Sequence, residues 1–227
     1  MCIRDRLWLV LVTSISVGLG LAIAVLVDRV RYEAVAKGLI FLPMAISFVG
    51  ASVIWRFMYA YNPPGAEQIG LLNAFVTGLG FEPIGWLVNK SINNFALIVI
   101  MIWLQTGFCM VLLSSAVKGI PQDIIEAARM DGATELQIFW RIIIPTISST
   151  ITVVATTVLV LVLKVFDIVF VMTAGNLDTD VVASLMIKQM FNFRHFGRGS
   201  AIAVILLIAV IPIMVVNIRR FQQQEEA

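Results

Sequence analysis

The chain has 227 residues, of which 60% are hydrophobic and 13% are charged, and its formal net charge at pH 7 is +2. Soluble domains are about half apolar and about one quarter charged, so this composition excludes an ordinary soluble protein. The charge balance is close to neutral and shows no basic cluster, which argues against a nucleic-acid partner.

Five long apolar runs follow one another along the chain. A helix needs about 20 apolar residues to cross a bilayer, and helices of soluble proteins keep a polar stripe that these runs lack. The sequence therefore predicts an all-α integral membrane protein, with a transmembrane domain over 7–220 and a short tail over 221–227. The predicted spans are about 7–27, 38–60, 94–117, 146–172 and 199–218.

The chain starts with MCIRDR, which places two arginines and an aspartate ahead of the first apolar run. This start lacks the apolar core and the small-residue cleavage site of a signal peptide. Cys2 and Cys109 are the only cysteines, and they indicate neither a disulfide framework nor a thiolate metal site. Because Cys109 lies inside an apolar run, we expect it to be a small buried apolar residue.

Two connecting segments differ in character from the apolar runs. After YNPPG, which forces a turn, the apolar stretch LLNAFVTGLGFEPIGWL is predicted either to lie flat at a membrane surface or to pack on helix ends. The segment 173–198 opens with the turn-rich TAGNLDTD and continues as VVASLMIKQMFNF. Its apolar spacing predicts a short interfacial helix with Lys188 and Gln189 on the solvent side.

The segment 118–145 is polar and carries both signs of charge. Pro121 suits the first turn of a helix, where an N–H group has no intrahelical partner. Gly132 can adopt a positive φ and end that helix, and Thr134 with Gln137 fits a capping box for a second helix. The pattern predicts an elbow of helix, glycine corner and helix. Residue chemistry alone leaves two roles open, a self-solvating hairpin and a docking surface.

Ten positions of this segment carry a resemblance to a known family: Glu126, Ala127, Ala128, Asp131, Gly132, Ala133, Phe139, Ile142, Ile144 and Pro145. Their spacing resembles the EAA loop of bacterial ABC-importer permeases. The stretches FLPMAISFVGASVIWRFMYAYNPPG, KVFDIVFVMTAGN and GRGSAIAVILLIAVIPIMVVNIRRF resemble the carbohydrate-uptake branch of these permeases, of the maltose and alpha-glucoside type. The implied fold is the permease core of an ABC type I importer.

Lysine and arginine lie in similar numbers on the two sides of the predicted spans, so charge alone leaves the orientation open. The resemblance implies a multi-pass protein of the bacterial inner membrane, with the EAA loop and the C-terminus cytoplasmic and the N-terminal end periplasmic. Arg56 is then interpreted as a snorkelling residue near the outer surface. Family members usually have a further upstream span, so 1–6 is interpreted as a non-native start of a truncated chain.

The resemblance implies a transporter subunit and not an enzyme, without catalytic residues, metal ligands or a cofactor of its own. No P-loop of the form GxxxxGK[ST] occurs in the chain, so ATP and Mg²⁺ are expected on a partner ATP-binding cassette ATPase dimer. The other implied partners are a second permease subunit, a periplasmic or lipid-anchored solute-binding protein, a sugar of the alpha-glucoside class and membrane lipid.

In this family the first helix of the EAA loop docks on the ATPase and transmits its closure. The resemblance assigns this coupling to Glu126, Ala127, Ala128, Asp131, Gly132, Ala133 and Pro145. The first three of these residues are expected in the docked face, Gly132 is expected to form the corner, and Asp131 is expected to help hold it.

The resemblance also suggests a sugar path, lined by Trp103, Gln105, Phe108, Lys164, Phe166 and Asp167. Aromatic faces and polar edges suit a sugar, and polar groups at membrane depth usually face a cavity or a partner. Lys164 and Asp167 are three residues apart, so on a continuous helix they would share a side and could pair. Helix packing and a structural ion pair are the alternative for each of these residues.

Other functions are weighed against this one. An ABC permease for peptides or amino acids is the nearest alternative, and a membrane protein without a transport role is a more distant one. An intramembrane enzyme would need a nucleophile–base pair or a set of metal ligands within the spans. His195 is the only histidine, and it has no carboxylate or thiol beside it in sequence, so it is interpreted as a surface loop residue.

Overall fold

The computed structural model describes residues 3–28 and 32–225, with side chains described over 4–28 and 32–215. Cys2 and the end of the predicted tail lie outside the described residues. The helices are α1 (Ile3–Val27), α2 (Glu33–Phe41), α3 (Phe48–Met58), α4 (Leu71–Gly78), α5 (Asn93–Lys118), α6 (Gln122–Met130), α7 (Glu135–Ile138), α8 (Ile144–Thr146), α9 (Ser148–Leu163), α10 (Asp167–Thr173), α11 (Val182–Ile187) and α12 (Phe196–Glu225). A 3₁₀ turn, Leu42–Ala45, follows α2, and π-helical turns cover Phe139–Ile143 and Lys188–Asn192.

The helices agree with a membrane-spanning bundle. Three of them are long and apolar enough to cross a bilayer: Arg4–Val27, Asn93–Lys118 and Phe196–Val215. Two further pairs pass the same criteria together but are bent, Glu33–Ala45 with Phe48–Met58 by 99° and Glu135–Thr146 with Ser148–Leu163 by 72°. The described residues therefore hold up to five spans, and the prediction of an all-α membrane fold is confirmed.

The structure corrects the helix predicted to carry both Lys164 and Asp167. The helix α9 ends at Leu163, because the N–H groups of Lys164 and Val165 bond three residues back, to Leu161 and Val162. Phe166 then leaves the helical region with φ −136°, and α10 begins at Asp167 and packs on α3. The predicted shared face does not exist, and among the described residues no ion pair joins Lys164 to Asp167.

The core of the bundle is the contact between α1 and α5, with α9 packed against both. Glycine permits close approach at two places on this core. A side chain at Gly20 of α1 would meet Cβ of Cys109 at 2.5 Å, and Cys109 is fully buried, as predicted. A side chain at Gly107 of α5 would lie 2.5 Å from the carbonyl oxygen of Ile40 and 2.9 Å from Cα of Phe41.

We expect Gly107→Ala to destabilise the protein, because the new methyl group meets backbone that cannot move aside without shifting α2. Overpacking of this kind costs about 1–3 kcal/mol. The matched control is Gly38→Ala on α2, where a side chain meets open space and the loss of glycine flexibility favours the helix. Thermal denaturation of the purified membrane complex measures both. Equal melting temperatures for the two variants would contradict the close approach at Gly107.

The loop between α10 and α11 is built from strained backbone. Positive φ angles occur at Ala174, Gly175, Leu177 and Asp178, of which three are not glycine. Such residues persist only where surrounding structure holds them. The start of α5 does so, because the Asn93 amide donates to the Leu177 carbonyl at 2.7 Å.

Charged groups fix the same loop from other elements. Lys90 lies 3.0 Å and Arg4 lies 3.3 Å from the Asp178 carboxylate. The Lys90 ammonium, helped by Arg4, holds the pKa of Asp178 below its ordinary value. Arg4 belongs to the MCIRDR start, as does Asp5, which accepts a 3.1 Å hydrogen bond from the backbone of Val182.

Lys188 does not lie on a solvent-exposed side, contrary to the prediction. Its ammonium donates to the Asp180 carboxylate at 2.9 Å and to the Gly175 carbonyl at 3.0 Å, and only 18% of its side chain is exposed. A π-helical turn begins at Lys188, so the regular spacing behind the prediction of a wet face breaks down there.

Candidate coupling elbow and membrane hollow

The elbow, residues 118–145, begins with α6. Pro121 is the residue before the helix, with ψ 131°, one position earlier than the predicted first turn. Glu126 and Ala127 are exposed, as are Ile124 (48%) and Met130 (88%). These side chains form a mixed polar and apolar face that no other part of the described chain covers.

The corner of the elbow is a Schellman motif. Gly132 has φ +80°, which confirms the predicted left-handed turn. Its N–H donates to the Arg129 carbonyl, and the N–H of Ala133 donates to the Ala128 carbonyl, each at 3.0 Å. Ala128 and Ala133 both pack against the core, so Ala128 is half-buried, whereas Glu126 and Ala127, predicted with it in the docked face, are exposed. Asp131 caps α6 through its backbone, and its side chain has no partner among the described residues.

The second arm of the elbow starts with the predicted capping box. Thr134 Oγ1 accepts from the N–H of Gln137 at 3.4 Å, and Gln137 Oε1 accepts from the N–H of Thr134 at 2.8 Å. An ion pair spans the corner, with Arg129 Nε 2.9 Å from Glu135 Oε1. The two arms are therefore fixed to each other by both backbone and side-chain bonds.

The elbow joins the next span through a bend near Pro145. Proline has no N–H group and its ring crowds the carbonyl four residues earlier, so the helical ladder breaks here. A π-helical turn, Phe139–Ile143, precedes it, and α7–α8 meets α9 at 72°. Trp140 on this arm is 61% exposed.

A charged cluster that the sequence reasoning missed lies at the root of the elbow. Lys37 donates to Asp28, Glu33 and Ser114, and Lys118 donates to Glu33. Ser114 Oγ also donates to Asp28 Oδ1 at 2.9 Å. The four-residue spacing of Glu33 and Lys37 is a visible helical signal, whereas no local pattern indicates Ser114 or Lys118.

This cluster connects three helix ends to the elbow. Asp28 follows α1, Glu33 and Lys37 lie on α2, and Lys118 ends α5. Three members of the cluster, Asp28, Glu33 and Lys118, line a groove of about 510 Å³ together with Arg129 and other residues of the elbow. The cluster therefore lies where the elbow joins the ends of α1, α2 and α5.

Five of the six residues of the predicted sugar path lie around one region of the membrane domain. Gln105 and Phe108 line a hollow of about 310 Å³, and Lys164, Phe166 and Asp167 line a neighbouring one of about 100 Å³. Both hollows share Phe48 and Leu161 as walls. Gln105 is only 5% exposed, and its amide has no hydrogen-bond partner in the described part of the chain, so its donors and acceptor face the hollow unused.

Trp103 lies apart from this region. Its ring meets Trp55 edge-to-face at 5.7 Å, and Trp55 in turn contacts Tyr59 at 5.1 Å. Tyr59 then contacts Trp86 at 5.9 Å. The four rings form an aromatic column that joins α5, the end of α3 and the connection before α5. This position agrees with helix packing, the alternative considered for Trp103.

Comparison with known proteins decides the family. Residues 15–224 match the family described as binding-protein-dependent transport system inner membrane component. The chain belongs to this family. It is thus a transporter subunit, here called the permease, and not an enzyme, because ATP hydrolysis in ABC importers resides in a separate subunit. It is a multi-pass protein of the inner membrane.

Two curated relatives are similar to the permease over nearly all of its length. The osmoprotective compounds uptake permease protein GgtC of Synechocystis sp. is 74% identical over 223 residues, which are 98% of this chain and 80% of the relative. The alpha-glucoside transport system permease protein AglF of Rhizobium meliloti is 56% identical over 217 residues, 95% of this chain and 65% of the relative.

A solved structure supports the fold. The bacterial alginate ABC transporter, crystallised with a periplasmic protein that holds an alginate pentasaccharide, superposes on the permease with a TM-score of 0.83. The match covers 94% of this chain and 74% of that chain at 20% identity. At this identity the likeness concerns the fold alone, and it confirms the predicted permease core.

Proposed function

We propose that the permease forms part of the sugar path of a binding-protein-dependent ABC importer, with alpha-glucosides or related sugar compounds as its substrates. The observation that carries this proposal is the 56% identity to a permease named for alpha-glucoside transport, together with the hollow beside Gln105. An unpaired amide and aromatic walls suit a molecule with hydroxyl edges and apolar C–H faces.

The elbow is proposed to dock on an ATP-binding cassette ATPase, which binds ATP and Mg²⁺. The uncovered face of α6, with Ile124, Glu126, Ala127 and Met130, supplies the docking surface, and the rigid Schellman corner makes α6 a lever. In this arrangement the elbow and the C-terminus lie in the cytoplasm. A second permease subunit completes the path, and a periplasmic or lipid-anchored solute-binding protein delivers the sugar from the other side.

The test is co-purification of the permease with an ATP-binding cassette ATPase and a second permease of the same organism, followed by ATPase assays with a solute-binding protein. We expect stimulation by alpha-glucosides or by osmoprotective compounds, the substrates for which the two relatives are named. A panel that includes peptides and amino acids distinguishes the nearest alternative, since stimulation by those solutes alone would overturn the sugar assignment.

Gln105→Leu is expected to weaken sugar transport without changing assembly. Loss of one hydrogen bond to a substrate raises the apparent KM by about threefold to tenfold. Trp103→Phe is the control, because Trp103 was predicted in the path but packs in the aromatic column. Radiolabelled uptake by the reconstituted complex measures both KM values, and an unchanged KM for Gln105→Leu would favour simple packing.

A further inference from the structure

The helix α4 buries its polar residue Asn73 and leaves large apolar side chains exposed. Asn73 is fully buried, and its amide bonds the carbonyls of Ala60 and Ile84 at 3.0 Å, the N–H of Ile84 at 2.9 Å and the indole N–H of Trp86 at 3.2 Å. The opposite face exposes Leu71 (64%) and Phe75 (67%). A helix surrounded by water shows the reverse arrangement, so α4 faces an apolar medium.

The sequence around α4 fits the boundary of a membrane. No charged residue lies between Glu67 and Glu82, whereas both of these carboxylates flank the stretch. Trp86 lies beside the polar anchor of α4, and tyrosine and tryptophan are typical of the membrane–water interface. The sequence predicts that this stretch either packs on helix ends or lies flat at a membrane surface. The bond from Asn73 to the Ala60 carbonyl, just after the end of α3, confirms the packing, and the apolar outer face of α4 is compatible with a membrane surface.

A groove lies on the outward side of α3, between that helix and the segments that precede and follow α4. Its volume is about 610 Å³, and its walls include Val53, Arg56, Phe57, Tyr61, Ile69 and Val88. Phe57 is 72% exposed and Ile69 is 76% exposed. Arg56 lies in the last turn of α3 and is exposed, and in the described part of the chain its guanidinium has no ion-pair partner.

We propose that this groove binds an anionic phospholipid. Arg56 holds the phosphate of the headgroup, an acyl chain lies along Val53 and Phe57, and α4 lies in the membrane interface with Leu71 and Phe75 among the acyl chains. The proposal rests on membership of the membrane family and is independent of which sugar is carried.

Two observations favour lipid over a protein as the occupant. The exposed stripe Val49, Val53 and Phe57 continues the apolar surface of a membrane-spanning segment, where lipid is the default neighbour. The single unpaired cation at the end of that stripe matches the position of a lipid phosphate at the end of its acyl chains. Guanidinium groups bind phosphate through two parallel hydrogen bonds.

The first experiment measures bound lipid by native mass spectrometry of the assembled transporter released from nanodiscs that contain phosphatidylglycerol and phosphatidylcholine. Arg56→Gln is expected to lower the occupancy of phosphatidylglycerol about fivefold, as expected for one basic residue at a membrane surface. Arg56→Lys retains most of it. Arg194→Gln, which removes an exposed cation outside the groove, leaves it unchanged.

Three results would overturn the proposal. The first is equal phosphatidylglycerol occupancy in Arg56→Gln and the unaltered protein. The second is displacement of the lipid by millimolar glycerol phosphate alone, which would indicate a site for free phosphate. The third is efficient cross-linking of Phe57→Cys to the second permease or to the solute-binding protein, which would make the groove a protein interface.

A second experiment tests the depth of α4 without relying on Arg56. Spin labels are placed by Phe75→Cys and, as the aqueous control, by Glu67→Cys, in a Cys2→Ser background in which Cys109 is buried. Oxygen concentrates among acyl chains and a nickel chelate stays in water. The label at position 75 is therefore expected to be relaxed more by oxygen, and the label at position 67 more by the nickel chelate. Preference of the label at 75 for the nickel reagent would place α4 in water and refute its membrane position.

Discussion

Gly132→Val is expected to uncouple ATP hydrolysis from transport while the permease still inserts into the membrane. The backbone at Gly132 has φ +80°, and a β-branched residue in that region is a severe outlier. The left-handed conformation costs an ordinary residue about 1–2 kcal/mol, which is enough to favour a different corner. The Schellman bonds to Ala128 and Arg129 would then be lost, and α6 would present its docking face in another direction.

The control for backbone strain alone is Gly80→Val. Gly80 has φ +86°, and a side chain at either glycine meets open space, so the two substitutions impose similar strain at different places. Asparagine tolerates this conformation, so Gly132→Asn should retain most of the coupling. Basal and binding-protein-stimulated ATPase rates of the reconstituted complex measure the effect. Full stimulation in Gly132→Val, or equal loss in Gly80→Val, would refute the role of the corner.

The elbow was predictable from sequence because its determinants are local. A glycine at the C′ position and a threonine three residues before glutamine specify a helix end and a helix start within a few residues. The family spacing added the docking role. What spacing could not show is the direction of Ala128, because only the tertiary fold decides that this alanine packs against the core.

The predictions that differed from the structure depended on long-range packing. No proline or glycine marks the helix break before Asp167 in the sequence. The break allows α10 to pack on α3. Lys188 turns inward because Asp180, eight residues away, offers a carboxylate. The family resemblance placed Trp103 on the sugar path, whereas in the structure its ring packs on Trp55.

The charged cluster shows what composition alone hides. The permease has few charged residues. Charged groups near the membrane boundary are costly to desolvate, so those that occur there are expected to be paired. Here the pairs lie where the elbow meets the ends of α1, α2 and α5. If α6 acts as the proposed lever, we expect this cluster to carry its movement to the spans.

Lys37→Met is therefore expected to be the most destabilising change at the root of the elbow. Only 17% of the Lys37 side chain and 15% of that of Asp28 are exposed, and removal of the ammonium leaves the carboxylates of Asp28 and Glu33 without it. Removing one partner of a largely buried ion pair destabilises a protein much more than replacing both partners, because it leaves an uncompensated buried charge. We expect the melting temperature of the assembled complex to fall by about 5 °C or more.

Two further variants separate this explanation from a loss of packing by the lysine side chain. Lys37→Met with Asp28→Asn should recover part of the melting temperature, because it removes a carboxylate that has lost its partner. Lys118→Met should have a smaller effect, since 52% of the Lys118 side chain is exposed and exposed ion pairs contribute little. Additive losses in the double variant would show that Lys37 acts through packing and not through the carboxylates.

At temperatures where all variants are folded, Lys37→Met should also lower the ratio of stimulated to basal ATPase activity, because the ends of α1, α2 and α5 would no longer move together with the elbow.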